Sequence, residues 1–326
     1  MHVLVKGAGV AGLTLAHELG TRGIDVTIAE RGTDFRGTAS WFAGGMLAPW
    51  CERESAEETV LTRGIGAIDW WDRALPGAVS RNGTLVIAPA RDVGELKRFA
   101  ARTTGYEWLD TEEIARLEPA LAGRFQQALF FPGEAHLDPR RALASLRQKL
   151  VKRGVGFVDA AGVDDDAFDL IADCTGASSI GSVSGLRGVR GEMLYLQTDD
   201  VALSRPVRFI HPRIPLYIVP RGNGLFMCGA TMIETDDGGP ITARSLMELL
   251  NAAYALHPSF GEARLVETGT GIRPAFVDNL PRAVRAGNTI TVNGLYRHGF
   301  LLSPALAQEA VNLVQGSDLK GDAACN

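Results

Sequence analysis

The sequence predicts an α/β fold in which a Rossmann-like unit is joined to a second domain with a mainly antiparallel sheet. Three observations carry this. The first thirty residues read strand, glycine-rich turn, helix, strand, a complete βαβ unit. Residues 186–231 read as short strands separated by turn signals. The last third returns to a strand and a helix, so the domain opened at the N-terminus is completed only late in the chain. The length of 326 residues agrees, since domains usually hold roughly 100–200 residues.

Residues 2–6 form the first apolar strand, and Gly7-Ala-Gly9-Val-Ala-Gly12 follows. Leu13, Leu15, Ala16 and Leu19 recur at helical spacing until Gly20 and Gly23 close the helix, and residues 24–30 alternate as a strand. A turn-rich stretch runs from Arg31 to Pro49, and one helix is expected over about 55–71. Residues 83–88 read as a strand and 93–103 as a helix, and Asp110 with Glu113 forms a capping box for another. Asp138-Pro139 sets an N-cap acid before a proline at the first helical position, and Leu143, Leu146 and Leu150 carry that helix towards Gly154. Residues 168–173 form a strand that ends in Cys174-Thr-Gly-Ala177. Strands at 192–197, 216–220 and 225–230 follow, the last two joined by a turn holding Asn223-Gly224. Residues 243–255 are helical and 289–293 extended, and a final helix runs from Pro304 to about Val314 with Ser303 as its N-cap. The polar tail 316–326 is expected to fray. The domains are therefore assigned as 1–80, 132–185 and 266–326 for the first, and 81–131 and 186–265 for the second.

With 46% apolar and 22% charged residues, the composition is that of an ordinary globular protein. A net charge of −5 argues against a dedicated nucleic-acid binder, which would carry a basic face. No apolar run approaches about 18 residues, so no membrane span is expected. The N-terminus lacks the basic start and cleavage site of a secretory signal. Cys51, Cys174, Cys228 and Cys325 form no C-x-x-C pair, and the histidines form no ligand pair. Reduced thiols, a cytoplasmic location and no metal are the expectation.

Gly7-x-Gly9-x-x-Gly12 is the strongest local signal. Gly7 permits the tight turn, Gly9 admits a pyrophosphate to the backbone, and Gly12 lets helix and strand pack closely. The helix N-terminus, through Val10 and Ala11, offers N–H groups to phosphates. Glu30, at the end of the second strand, is placed to accept from ribose hydroxyls. Dinucleotide binding follows, but this unit alone does not separate NAD from FAD. Lys6 has no assigned role.

Further blocks occur in order: Ser40-Trp-Phe-Ala43-Gly44-Gly45-Met46, Cys174-Thr-Gly, Tyr217-Ile-Val-Pro-Arg, Gly271-Ile-Arg273-Pro and Gly294-Leu-Tyr-Arg297-His298-Gly299-Phe300-Leu301-Leu302-Ser-Pro304. Together they resemble the D-amino-acid-oxidase superfamily of FAD-dependent flavoproteins, and within it the glycine-oxidase branch of thiamine biosynthesis. The resemblance spans nearly the whole chain and makes the first domain an FAD-binding domain and the second a substrate domain. FAD is expected to be non-covalent, because no cysteine lies near 269–273, where the sarcosine-oxidase relatives attach their flavin.

The resemblance also assigns residues. Ser40, Arg31, Val163, Thr175, Gly176 and Arg273 are implied as cofactor contacts. The small side chains of Ala43-Gly44-Gly45 let the backbone approach a flat ring, with Met46 as an apolar wall, although a flexible loop is the alternative. Arg297, His298, Gly299, Phe300, Leu301 and Leu302 would lie along the pyrimidine side of the flavin, with a plain surface charge the other reading of Arg297. Arg273, in an otherwise apolar segment, needs an anion. The resemblance makes that anion the carboxylate of an amino-acid substrate, shared with Tyr217, and both residues are implied as catalytic. An internal salt bridge and a core tyrosine are the alternatives. Met46 and Arg297 complete the implied substrate site. The implied reaction is oxidative deamination of glycine or a similar small amino acid to an imine or 2-oxo acid, with ammonia, and with dioxygen reduced to hydrogen peroxide, in service of thiamine thiazole formation. Oxidation of another amine (a D-amino acid, sarcosine or proline), electron transfer to another acceptor and a non-catalytic flavin-binding role stay open, as does a homo-oligomeric state.

Overall fold

The computed structural model describes residues 1–32, 34–210 and 215–316; of the tail expected to fray, residues 317–326 lie outside this range. A six-stranded sheet carries the N-terminal unit. Its order is Arg282–Ala286, Thr289–Asn293, Leu170–Asp173, His2–Lys6, Asp25–Glu30, Gly156–Asp159. All neighbours are parallel except the first pair. Val3, Leu4 and Val5 are fully buried. That is what a central parallel strand covered on both faces requires, and it explains the unbroken apolar run. The Val10–Thr21 helix packs between this sheet and the C-terminal helix Gly299–Val314.

The second sheet is mainly antiparallel. In order it holds Ile233–Glu234, Arg187–Gln197, Leu225–Gly229, Pro215–Pro220, Val207–Ile210, Thr84–Ile87, Gln127–Phe131 and Glu107–Asp110. Arg264–Ala275 pairs along the length of Arg187–Gln197, so this strand crosses the expected boundary at 266. The Ala243–Leu256 helix covers one face. A small third sheet of Met46–Leu47, Ala135–Leu137 and Val79–Ser80, unforeseen from the sequence, anchors the turn-rich segment.

The capping box at Asp110 and Glu113 is present, and Asp138 caps the Pro139–Lys152 helix. Two helices differ from expectation. The single helix over 55–71 is two, Glu58–Gly64 and Ala67–Ala74. A Cβ on Gly64 would press against the Leu301 side chain at 3.0 Å, so glycine gives close packing where the helices meet. The C-terminal helix begins at Gly299, not Pro304, with His298 rather than Ser303 at its N-cap. Pro304 lies inside it and has no N–H for the carbonyl of Phe300. The indole Nε1 of Trp71 supplies the missing donor at 2.8 Å. Trp71 is itself fully buried.

Trp71→Phe should strand that carbonyl and cost about 1–3 kcal/mol. For a chain of this size the thermal midpoint should drop by several degrees. An unchanged midpoint would mean that the carbonyl has another partner.

Candidate active site

One cavity of about 1220 Å³ runs from the glycine turn to the antiparallel sheet. At its first end the three glycines have separable causes. Gly7 has φ +100°, and a Cβ there would meet the Cys174 carbonyl at 2.6 Å. A Cβ on Gly12 would collide with the Gly7 carbonyl. At Gly9 a Cβ would meet only Ser40 Oγ, at 3.4 Å. The protein's own packing therefore demands glycine at 7 and 12 but not at 9. Gly9 lines the cavity, and a ligand that must lie close to the main chain is the constraint that fits.

The Val10 N–H donates to Ser40 Oγ at 3.1 Å, which draws the turn-rich segment onto the helix N-terminus. Ala11 lines the cavity beside it. Glu30 is buried at the cavity edge, where Arg147 Nη2 donates to its carboxylate at 2.5 Å, and Arg31 adjoins it. Val163, Thr175 and Gly176 line the cavity as well. Thr175 is fixed by its hydroxyl and N–H on Asp173 Oδ1, and the Gly176 carbonyl accepts from Asn293. Lys6 pairs with Asp165 at 2.6 Å across the same wall.

Ala43, Gly44, Gly45 and Met46 also line the cavity, as do Arg297, His298, Gly299, Phe300 and Leu301. Two expected contacts fall outside this lining. Gly12 is spent on helix–strand packing. Leu302 is 1% exposed, and its N–H already donates to the His298 carbonyl.

The far end is organised by Glu52, which the sequence reading missed. It lies on the short, buried Pro49–Arg53 helix. Its Oε1 accepts from the Tyr217 hydroxyl at 2.8 Å. Its Oε2 lies 2.8 Å from Arg297 Nη2 and 2.9 Å from His298 Nε2. Burial pushes this carboxyl up, but Arg297, His298 and Arg208 together hold it well below the usual carboxylate range. The available signal was an acid directly after the apolar run Met46-Leu-Ala-Pro-Trp-Cys51. Tyr217, read as a partner of the substrate carboxylate, and Arg297, read as lining the flavin and substrate site, are thus engaged with an internal carboxylate.

Arg273 differs. Its Nη1 donates to the Thr231 carbonyl at 2.9 Å, and among the described residues it forms no ion pair. Burial, then the neighbouring Arg297, lowers it to about 10. A Cβ on the facing Gly191 would collide with the guanidinium, so glycine there makes room for it. Two guanidinium groups and one carboxylate leave a positive charge at the cavity wall that awaits an anion.

A cavity that couples a phosphate-type turn to an uncompensated guanidinium agrees with the family comparison. The model of the DAO family, described as FAD dependent oxidoreductase, matches residues 2–313. The chain belongs to this family. A Rhizobium etli relative named "Putative thiamine biosynthesis oxidoreductase ThiO" is 64% identical over 313 residues, covering 95% of each chain. A protein of Geobacillus kaustophilus named glycine oxidase is 26% identical over 365 residues, covering 99% of this chain and 95% of its own. Among solved structures, glycine oxidase from Geobacillus kaustophilus shares the fold, with a TM-score of 0.82, 23% identity, and coverage of 99% of this chain and 96% of that one.

As a DAO-family oxidoreductase the chain uses FAD. Cys51, Cys174 and Cys228 are free and buried, and burial pushes all three thiols up, which makes them poor nucleophiles. No group of metal-ligating side chains occurs among the described residues, and none of their helices is long and apolar enough to cross a membrane.

Behind Glu52 the oxidoreductase buries a second acid. Glu134 is 1% exposed, its Oε1 accepts from the Cys51 N–H at 2.7 Å, and its polar side-chain neighbour is the buried Thr84 hydroxyl, which is not aligned for a normal hydrogen bond to Oε2. Burial raises it to about 8. The folded state therefore holds a proton that the unfolded chain releases near 4.5. This contribution to stability is fully present below the lower value and is lost as pH rises towards the upper one. Glu134→Gln should lose less stability between pH ~5 and ~8.5 than the parent does in denaturant titrations. Parallel losses in the two proteins would contradict the assignment.

Proposed function

We propose that this oxidoreductase deaminates glycine or a similarly small amino acid to the imine or 2-oxo acid and ammonia, with dioxygen as acceptor and hydrogen peroxide as co-product, in the cytoplasm. The observation that carries this is Arg273, a desolvated guanidinium without an internal anion on the wall of a flavin-sized cavity. Bound FAD supplies the two-electron acceptor for the substrate Cα–H bond.

The chain's own residues perform recognition and exclusion. Arg273 would receive the substrate carboxylate through its planar fork. Glu52 keeps Arg297 neutralised, so one carboxylate, not two, balances the pocket. Held well below the usual range, Glu52 is a weak base at neutral pH, and burial raises the Tyr217 hydroxyl well above its ordinary value. Neither is suited to remove a proton, so the amine would have to react in its neutral form. Positioning, not side-chain acid–base catalysis, is then the protein's contribution. Gly9 and the Val10–Thr21 helix N-terminus would take the pyrophosphate, Glu30 the ribose, and the 43–46 turn with the start of the Gly299–Val314 helix the flavin ring. The name of the Rhizobium etli relative supports a place in thiamine synthesis.

Anaerobic addition of glycine to the purified holoprotein should bleach the flavin absorbance, and aerobic turnover should yield ammonia and peroxide together. Failure to bleach with glycine, sarcosine and D-alanine would refute the reading. Arg273→Met should keep its FAD yet raise the half-saturating glycine concentration by at least about thirtyfold, roughly 2 kcal/mol.

A further inference from the structure

The segment Tyr217-Ile-Val-Pro-Arg221 ends in a cation so far without a role. Arg221 directly follows the Pro215–Pro220 strand and turns towards the flavin-side turn. Its Nη2 donates to the carbonyls of Gly44 at 2.8 Å and Ala43 at 3.4 Å, and its Nη1 to that of Leu137 at 3.3 Å. Its buried Nε has no partner, and among the described residues it forms no ion pair. A guanidinium fork matches a carboxylate or a phosphate; here it is spent on backbone carbonyls. Leu137 closes the arrangement, since its N–H donates to the Gly45 carbonyl at 2.9 Å. Gly45 has φ +72°, and a Cβ on it would overlap the Leu137 carbonyl and press on the Pro139 ring at 2.8 Å. The 43–46 turn is thus gripped from behind by Arg221 and Leu137, while its front lines the cavity. Arg221 itself does not reach the cavity.

We infer that Arg221 is a positioning residue for the flavin ring. It fixes the backbone of Ala43 and Gly44, and it places an uncompensated positive charge behind that wall. The charge favours acceptance of electrons at the ring, because fixed cations in a water-poor site act strongly on nearby developing charge. The inference rests on the reading that the 43–46 turn faces the flavin ring, and not on which amine is oxidised.

The test uses the holoprotein and needs no substrate. Arg221→Met should weaken FAD binding about tenfold, because a 43–46 turn no longer held from behind must be ordered when the cofactor binds. It should also move the flavin midpoint potential to a more negative value and shift the visible spectrum. Arg221→Lys keeps the charge but not the fork, so it should restore most of the potential and little of the affinity. Should the methionine variant not fold, Arg221→Gln retains one amide donor for Gly44 and should move the potential in the same direction. A folded Arg221→Met or Arg221→Gln protein with parental affinity, potential and spectrum would overturn the inference. Met46→Leu tells the two failures apart. A flavin spectrum indifferent to Met46→Leu would remove the turn from the ring and the inference with it. A responsive spectrum with silent Arg221 variants would overturn the inference alone.

Discussion

A single ionised carboxylate ties together the parts of the chain that meet at the reactive end of the cavity. Glu52 comes from the short helix after the turn-rich segment, Tyr217 from the antiparallel sheet, and Arg297 and His298 from the start of the C-terminal helix. A charge buried in this way is costly unless every lone pair is answered. The structure answers with a hydroxyl, a guanidinium and an imidazole, and Arg208 donates to the Cys51 carbonyl of the same helix at 2.9 Å. The parallel sheet and the antiparallel sheet are thereby registered against each other at the place where chemistry is proposed.

That constraint determines which arginine is free. Arg297 alone would be a plausible anion receptor, since it lines the same cavity. Glu52 satisfies it and takes the Tyr217 hydroxyl as well, so of these two arginines Arg273 is the one without an ion pair among the described residues. On the proposed reading, specificity for one carboxylate would follow from this subtraction. A ligand with two would have to displace Glu52 from three partners at once, and each charge-assisted hydrogen bond is worth about 1.5–3 kcal/mol. The sheet protects the free guanidinium in turn. Thr231 offers its carbonyl to Arg273, and the Thr231 hydroxyl is held on the fully buried Glu192 at 3.0 Å.

The legible parts of the molecule were those whose causes are local. Gly7, Gly9 and Gly12 announce a turn and a crossing within six residues, and Asp138-Pro139 announces a helix start within two. The antiparallel strands were legible because turn signals punctuate them. Glu52 was not, since its partners lie 165 and 246 residues away and nothing in Cys-Glu-Arg marks them. Lys6 and Glu30 show the same limit. One finds Asp165 and the other Arg147, and only the fold brings either pair together. Arg273 could be singled out, but its freedom from an internal partner is a property of the packed site.

The misread start of the C-terminal helix has the largest functional consequence. Proline was taken as a first-turn residue because that is where it is least costly. The structure instead spends a buried indole on the carbonyl that Pro304 leaves open. This lets the helix begin five residues earlier, at Gly299 rather than Pro304. Leu302 is then the residue whose N–H closes the first helical turn on the His298 carbonyl. The N–H groups of Gly299, Phe300 and Leu301 precede it, and these three residues line the cavity. A helix begun at Pro304 would have put its positive end in the core, where Ser303 is 1% exposed. Begun at Gly299, it points that end at the cavity wall, where it favours negative charge. Trp71, far from the cavity chemistry in sequence and not part of its lining, is therefore a condition for the electrostatics of the site.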